Sequence, residues 1–146
     1  MKIEIFKNIT IAYMRNVGEY GPENEQLMQD FKDYLKNNHL FNDNITILGI
    51  VMDNPAVTPA DQLRYDVGLI INQNQDIDLD TRNIDDGNYA VFETVHTKEG
   101  VMDFWKNLPQ MTEHLLVDYS KPIIERYAMD KVKNQLCEFC IPLKQF

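Results

Sequence analysis

The chain has 146 residues, 44% of them hydrophobic, and a formal net charge of −9. That length and balance suit one domain with a real core, and the negative charge argues against a nucleic-acid surface, which needs a basic stripe. No apolar run approaches the roughly 20 residues that span a bilayer and Met1 to Ile5 opens no signal peptide, so a cytoplasmic protein without membrane contact is expected.

Ile3 to Arg15 is strand-like, with Ile3, Ile5, Ile9, Ile11 and Tyr13 in alternation and Asn8 as a point where the run can break. Gly18 to Pro22 turns into a helix. Pro22 suits its first position, and Glu23 and Glu25 suit the positive end of its dipole. Leu27, Met28, Phe31 and Leu35 give it one apolar stripe, and Asn37-Asn38 ends it. Ile45 to Met52 is a second strand, broken by Asp53-Asn54-Pro55. Leu63 to Ile71 is a third, with Arg64 and Asp66 expected as an ion pair or sheet-edge charges. Asn72 to Asp80 is a polar, acidic connector between two halves.

The second half starts near Ile84. Tyr89 to His96 is strand-like, and Thr97 caps a helix from Lys98. Val101, Met102, Phe104, Trp105 and Leu108 supply its apolar side. Pro109 is expected to kink or split it, with Met111 to Val117 resuming the helix. Phe104 and Trp105 point about 100° apart, so one suits the core and the other a pocket.

The last stretch, Lys121 to Leu143, reads as a hairpin of two apolar arms around a polar link. Each arm carries one carboxylate, Glu125 and Glu138. With the turn centred between Lys131 and Val132, the two face each other with Cβ atoms about 4.5–5.5 Å apart; a one-residue slip separates them. Two readings stand open. The carboxylates lie at a solvated edge or pair with Arg126, Arg64 or a lysine; or they form the acidic floor of an apolar pocket. Cys137 and Cys140 form a C-x-x-C inside a strand, where the side chains face opposite ways and sit about 10 Å apart, so buried free thiols are expected rather than a disulfide. His39, His96 and His114 are scattered and supply no metal ligand set. No cofactor motif is present.

The order is therefore strand-helix-strand-strand, a linker, and the same again. Ile11-Ala12-Tyr13 stands before the first helix as Tyr89-Ala90-Val91 stands before the second. The expected fold is α+β: a duplicated βαββ unit with a pseudo-twofold, antiparallel sheets, two main helices on one side and a central groove. The chain is read as a single domain, residues 1–146, with half-repeats of about 1–73 and 84–146.

In that order the residues resemble the GyrI-like small-molecule-binding family, also seen as the effector domain of AraC-type and MerR-type multidrug regulators. The resemblance rests on Gly21-Pro22-Glu23, Asp53-Asn54-Pro55 with Thr58-Pro59, and Leu63-Arg64-Tyr65-Asp66. It continues through Gly87 to Val91, Pro122 to Tyr127 and Glu138 to Leu143. It implies lipophilic, often cationic aromatic ligands. It implies Glu125 and Tyr127 in the pocket, Glu138 as a second acidic position and Pro22 at the rim. Tyr20, Tyr65, Phe92, Tyr127 and Trp105 would form an aromatic cage around a carboxylate, with His96 at its rim.

Some stand-alone members of the family resemble hydrolases that open cyclopropane-bearing natural products, a role in which Glu125 and Glu138 would be catalytic. Others are named for inhibiting DNA gyrase. The sequence shows no helix-turn-helix, so direct nucleic-acid binding is not expected and control of transcription would need a protein partner, DNA gyrase or a regulator being the candidates.

Overall fold

A computed structural model describes residues 1–72 and 75–145. The boundary of the first half-repeat at residue 73, and the chain's last residue, fall outside them. Among the described residues eight strands are formed: β1 (Lys2–Phe6), β2 (Thr10–Val17), β3 (Thr46–Val51), β4 (Arg64–Ile71), β5 (Asp80–Asn83), β6 (Gly87–Val95), β7 (Ile123–Ala128) and β8 (Leu136–Pro142). The helices are α1 (Pro22–Asn37), α2 (Lys98–Met111) and the single turn α3 (Met129–Val132).

All strands join one antiparallel sheet in the order β1-β6-β8-β7-β3-β4-β2-β5. The order reads the same from both ends once β1 is matched with β5, β2 with β6, β3 with β7 and β4 with β8. This is the expected pseudo-twofold, centred on the β3–β7 pair. Strand bounds and side-chain facing put Gly49 at the position Glu125 holds in the other half, Asp66 at that of Glu138, and Ala12 at that of Ala90. The first strand of each half is exchanged: β1 pairs with β6 and β5 with β2.

Only three residues join β1 to β2, yet the two lie near opposite ends of the sheet, so the sheet curls. Asn8, at φ 56°, makes the corner, and its N–H donates to Asp86 Oδ1 at 3.0 Å. The corner interrupts the alternation expected through residue 13. In β1 the core residue is Phe6, while Ile3 and Ile5 are exposed. Inside the curl, Phe6, Ile11, Leu48, Ile50, Tyr89, Ile124 and Cys140 form one core.

The opposite face carries the helices. Phe31 and Leu35 of α1 pack on Ile47, Val67 and Leu69. Phe104 of α2 stacks on Phe139 with ring centroids 3.9 Å apart. Thr97 Oγ1 caps α2 by accepting from Gly100 N–H at 3.0 Å. Pro109 neither kinks α2 apart nor starts a second segment. It lies in the last turn, so its ring has no following turn to disrupt, and Thr112 Oγ1 closes the end by donating to the Leu108 carbonyl at 2.8 Å. Beyond it the chain makes turns and one bridge, Val117 to Leu143. Residues 80–83, read as the end of a connector and its sequel, form β5.

Candidate ligand-binding site

Between α1 and α2, over the middle of the sheet, lies a cavity of about 870 Å³. Its floor is β3, β4 and β7, and its walls are one side of each helix. Glu125 lies at the floor and is 8% exposed. The Tyr65 hydroxyl donates to Glu125 Oε1 at 2.5 Å, and Tyr127, two residues along the same strand, adds to the stabilisation of the carboxylate. Burial pushes the Glu125 pKa up, and the two phenols oppose that rise. Among the described residues, Glu125 has no lysine, arginine or histidine within salt-bridge distance.

Room for this pair comes from Gly49, directly across from Glu125 in the β3–β7 register. A Cβ there would stand 2.5 Å from Glu125 Oε1 and closer still to the Tyr65 hydroxyl. The pseudo-twofold is thus broken at its centre: one half supplies the carboxylate and the other supplies space.

Aromatic rings frame the carboxylate. Tyr20, Tyr65, Trp105 and Tyr127 all line the cavity. Tyr20 is held by its hydroxyl, which donates to the Arg64 carbonyl at 2.8 Å, and its ring meets Tyr65 edge-on at 6.4 Å. Trp105 stands edge-on to Phe139 at 5.4 Å and is the groove-facing member of the Phe104–Trp105 pair; Phe104 is core. His96 lines the cavity and meets Tyr127 edge-on at 5.3 Å.

Three expected site residues lie elsewhere. Phe92 is buried in the core beneath α2, against Phe104. Pro22 opens α1 at the surface, outside the lining. Glu138 does not face Glu125. The register pairs Glu125 with Phe139 and Arg126 with Glu138, one residue from the expected one. The polar link is a helical turn, α3, followed by Gln135 at φ 61°, and this odd count rotates β8 by one side chain. Glu138 therefore faces the inside of the curl. There Arg126 Nε donates to it at 2.9 Å and Arg126 Nη1 reaches Glu4 at 2.6 Å. That contact with Arg126 holds the Glu4 pKa down at about 2.

Asp66, the residue equivalent to Glu138, is buried on the same face. It takes two hydrogen bonds from Arg15, at 2.6 and 2.9 Å, and two from Arg82, at 3.2 and 2.8 Å. Arg64 pairs instead with Asp53, at 2.8 Å. The two acidic positions on the inner face are thus structural. The thiols follow the same division: Cys137 is buried under α2 and Cys140 inside the curl.

The cavity also holds residues that the sequence analysis did not place in a pocket. Asn24, Met28 and Lys32 stand on one stripe of α1 facing the groove, and Val101 faces it from α2. Asn24 Oδ1 and His96 Nδ1 are buried without hydrogen-bond partners. The stripe at 24, 28 and 32 follows helical spacing beside the core positions 31 and 35.

The family model of the GyrI-like small molecule binding domain matches residues 1–144. The chain is 40% identical over 146 residues to the SPbeta prophage-derived putative transcriptional regulator YosT of Bacillus subtilis (strain 168), covering 97% of each. Among solved structures, it is similar to SAV2435 bound to tetraphenylphosphonium, with a TM-score of 0.64 at 15% identity, covering 98% of this chain and 93% of that one. It is also similar to the EcmrR C-terminal domain, with a TM-score of 0.67 at 9% identity, covering 99% and 97%. At these identities the two structures speak for the fold.

Proposed function

Because the chain belongs to the GyrI-like small-molecule-binding family, we propose that its groove captures lipophilic aromatic cations and that Glu125 supplies the charge they meet. The observation that carries this reading is a buried carboxylate with aromatic walls and, among the described residues, no cationic partner. A lone buried carboxylate is costly in the empty protein, and a cation entering between the rings relieves that cost. Ring faces add attraction of up to about 2 kcal/mol per desolvated contact. The neighbour solved with tetraphenylphosphonium supports a ligand of this class. The name of the Bacillus subtilis relative, a transcriptional regulator, supports capture that is read out in transcription.

The test is a titration of wild type and Glu125→Gln with tetraphenylphosphonium and with neutral triphenylphosphine oxide, each compound then checked by mass. At about 5 Å and an effective dielectric near 20, the lost Coulomb term is about 3 kcal/mol, about a hundredfold in affinity. That loss is expected for the cation and not for the oxide. Equal losses for both would overturn the reading.

The second reading, a hydrolase for cyclopropane-bearing electrophiles, is favoured by the raised Glu125 pKa beside the Tyr65 hydroxyl. The carboxylate would take a proton from water as the water oxygen bonds to a ring carbon. The strained C–C bond would break, and its carbon would receive the proton. Such a compound recovered with the mass of water added, in wild type and not in Glu125→Gln, would establish it.

A further inference from the structure

The groove has a second pole. Lys32 of α1 is half-buried in its wall, and among the described residues it has no carboxylate within salt-bridge distance. Burial, with Lys36 nearby, pushes its pKa down, as expected for an ammonium short of partners. Burial, with Lys32 adding to it, pushes the His96 pKa down from its ordinary value, which favours the neutral imidazole. Its Nδ1 is buried and without a partner, while its backbone N–H is held by the Gln135 carbonyl at 2.7 Å and its ring by Tyr127. In the Nδ1–H tautomer that nitrogen is a donor facing no acceptor. Lys98 lines the facing wall, at the start of α2, and the acidic residue of the lining besides Glu125, Glu25, is exposed to solvent.

We propose that the groove is built for a bipolar ligand, an aromatic cation that also carries a carboxylate, with the cationic centre on Glu125 and the carboxylate held by Lys32 and His96 Nδ1. This rests on the cation reading above and adds the ligand's other end. Tyr127 lies two strand positions from Glu125 and His96 packs beyond it, so the poles are on the order of 10 Å apart. A cavity of about 870 Å³ has room for two or three rings between them. A carboxylate at the second pole would satisfy an ammonium and a ring N–H that are otherwise buried unpaired.

The probes are (4-carboxybenzyl)triphenylphosphonium, its methyl ester, and the uncharged-core analogue 4-(2,2,2-triphenylethyl)benzoate. Binding is read by calorimetry and by the fluorescence of Trp105, the single tryptophan, which lines the groove. The acid is expected to bind wild type about tenfold tighter than the ester, the size of one net hydrogen-bonded charge contact. Lys32→Met should bring that ratio close to one and leave ester affinity within about threefold, and His96→Phe, which keeps the ring against Tyr127, should reduce the ratio in part. An ester that binds wild type as tightly as the acid would overturn the second pole, as would equal losses of both in Lys32→Met. The benzoate separates the two readings. If it binds in a Lys32-dependent way while the ester does not bind, the second pole stands and the cation reading falls. If the ester binds through Glu125 but the acid gains nothing, the second pole alone falls. No binding by any of the three overturns it.

Discussion

Gly49→Ala tests the architecture of the floor with one methyl group. Gly49 lies in a strand with ordinary backbone angles, so alanine there meets no backbone strain. On open ground the change would stabilise the fold by about 0.4–1 kcal/mol through the unfolded state. Here the added Cβ falls 2.5 Å from Glu125 Oε1 and also on the Tyr65 hydroxyl. Those two oxygens are the ends of the hydrogen bond at the floor, so neither can retreat without breaking it. A hydrogen bond to a charged group contributes about 1.5–3 kcal/mol. Offsetting the alanine gain leaves a net loss of about 1–2 kcal/mol, or a Tm lower by about 2–8 °C in a chain of this size. Differential scanning calorimetry of wild type, Gly49→Ala, Tyr65→Phe and the double variant gives the assay. With the hydroxyl already gone, the methyl loses its nearest clash and meets the carboxylate and, at 3.2 Å, the ring carbon Cζ, so the double variant should lose less than the sum of the singles. A Gly49→Ala variant more stable than wild type, or strict additivity, would refute the claim that the glycine exists to accommodate the Tyr65–Glu125 pair.

Glu125 also sets a pH dependence. Its folded pKa lies above its unfolded value, so its contribution to stability is complete below the unfolded value and is lost as pH rises through the folded one. Cation affinity should rise through the same window, with proton release on binding, and Glu125→Gln should abolish both trends in paired titrations across pH. Arg126→Met leaves Glu138, 2% exposed, with only Lys2 and Lys131 at 4.0 and 3.9 Å. A loss of about 3–5 kcal/mol in urea unfolding is expected, with cation binding in the groove retained because the cluster lies on the other face. Burial pushes the Cys137 thiol up to about 11 and the Cys140 thiol up to about 12. Neither should react with Ellman's reagent in the native protein, and both should react once it is unfolded.

The elements that were legible in the sequence are those with a strong period. The α1 stripe ending in Phe31 and Leu35, the Thr97 cap and the β-branched runs of β3, β4, β7 and β8 all announce themselves through spacing. Glu125 stood out because a carboxylate in an apolar strand needs a reason. The β8 register did not, because it depends on how many residues the turn consumes. A helical turn and a two-residue turn look alike in a polar stretch, and the difference of one residue moved Glu138 from the groove to the inner face. β5 was hidden because Asp80-Thr81-Arg82-Asn83 has no apolar alternation; it is a strand because β2 offers it an edge and Asp66 takes Arg82. Lys32 and Asn24 were passed over because a polar residue on a helix is normally solvated, and only the facing wall of α2 makes that stripe an interior.

Two identical chains arranged about the same axis could not build this floor. Symmetry would set a second glutamate opposite Glu125, doubling the buried charge, or a second glycine, leaving none. Joining the halves in one polypeptide frees the two central positions to differ, and Glu125 and Gly49 use that freedom. The exchange of β1 and β5 between the halves makes the arrangement hard to undo, since each half lends an edge strand to the other. The groove can therefore present unlike ends to a ligand and hold it in one direction, which a symmetric cleft of the same shape could not do.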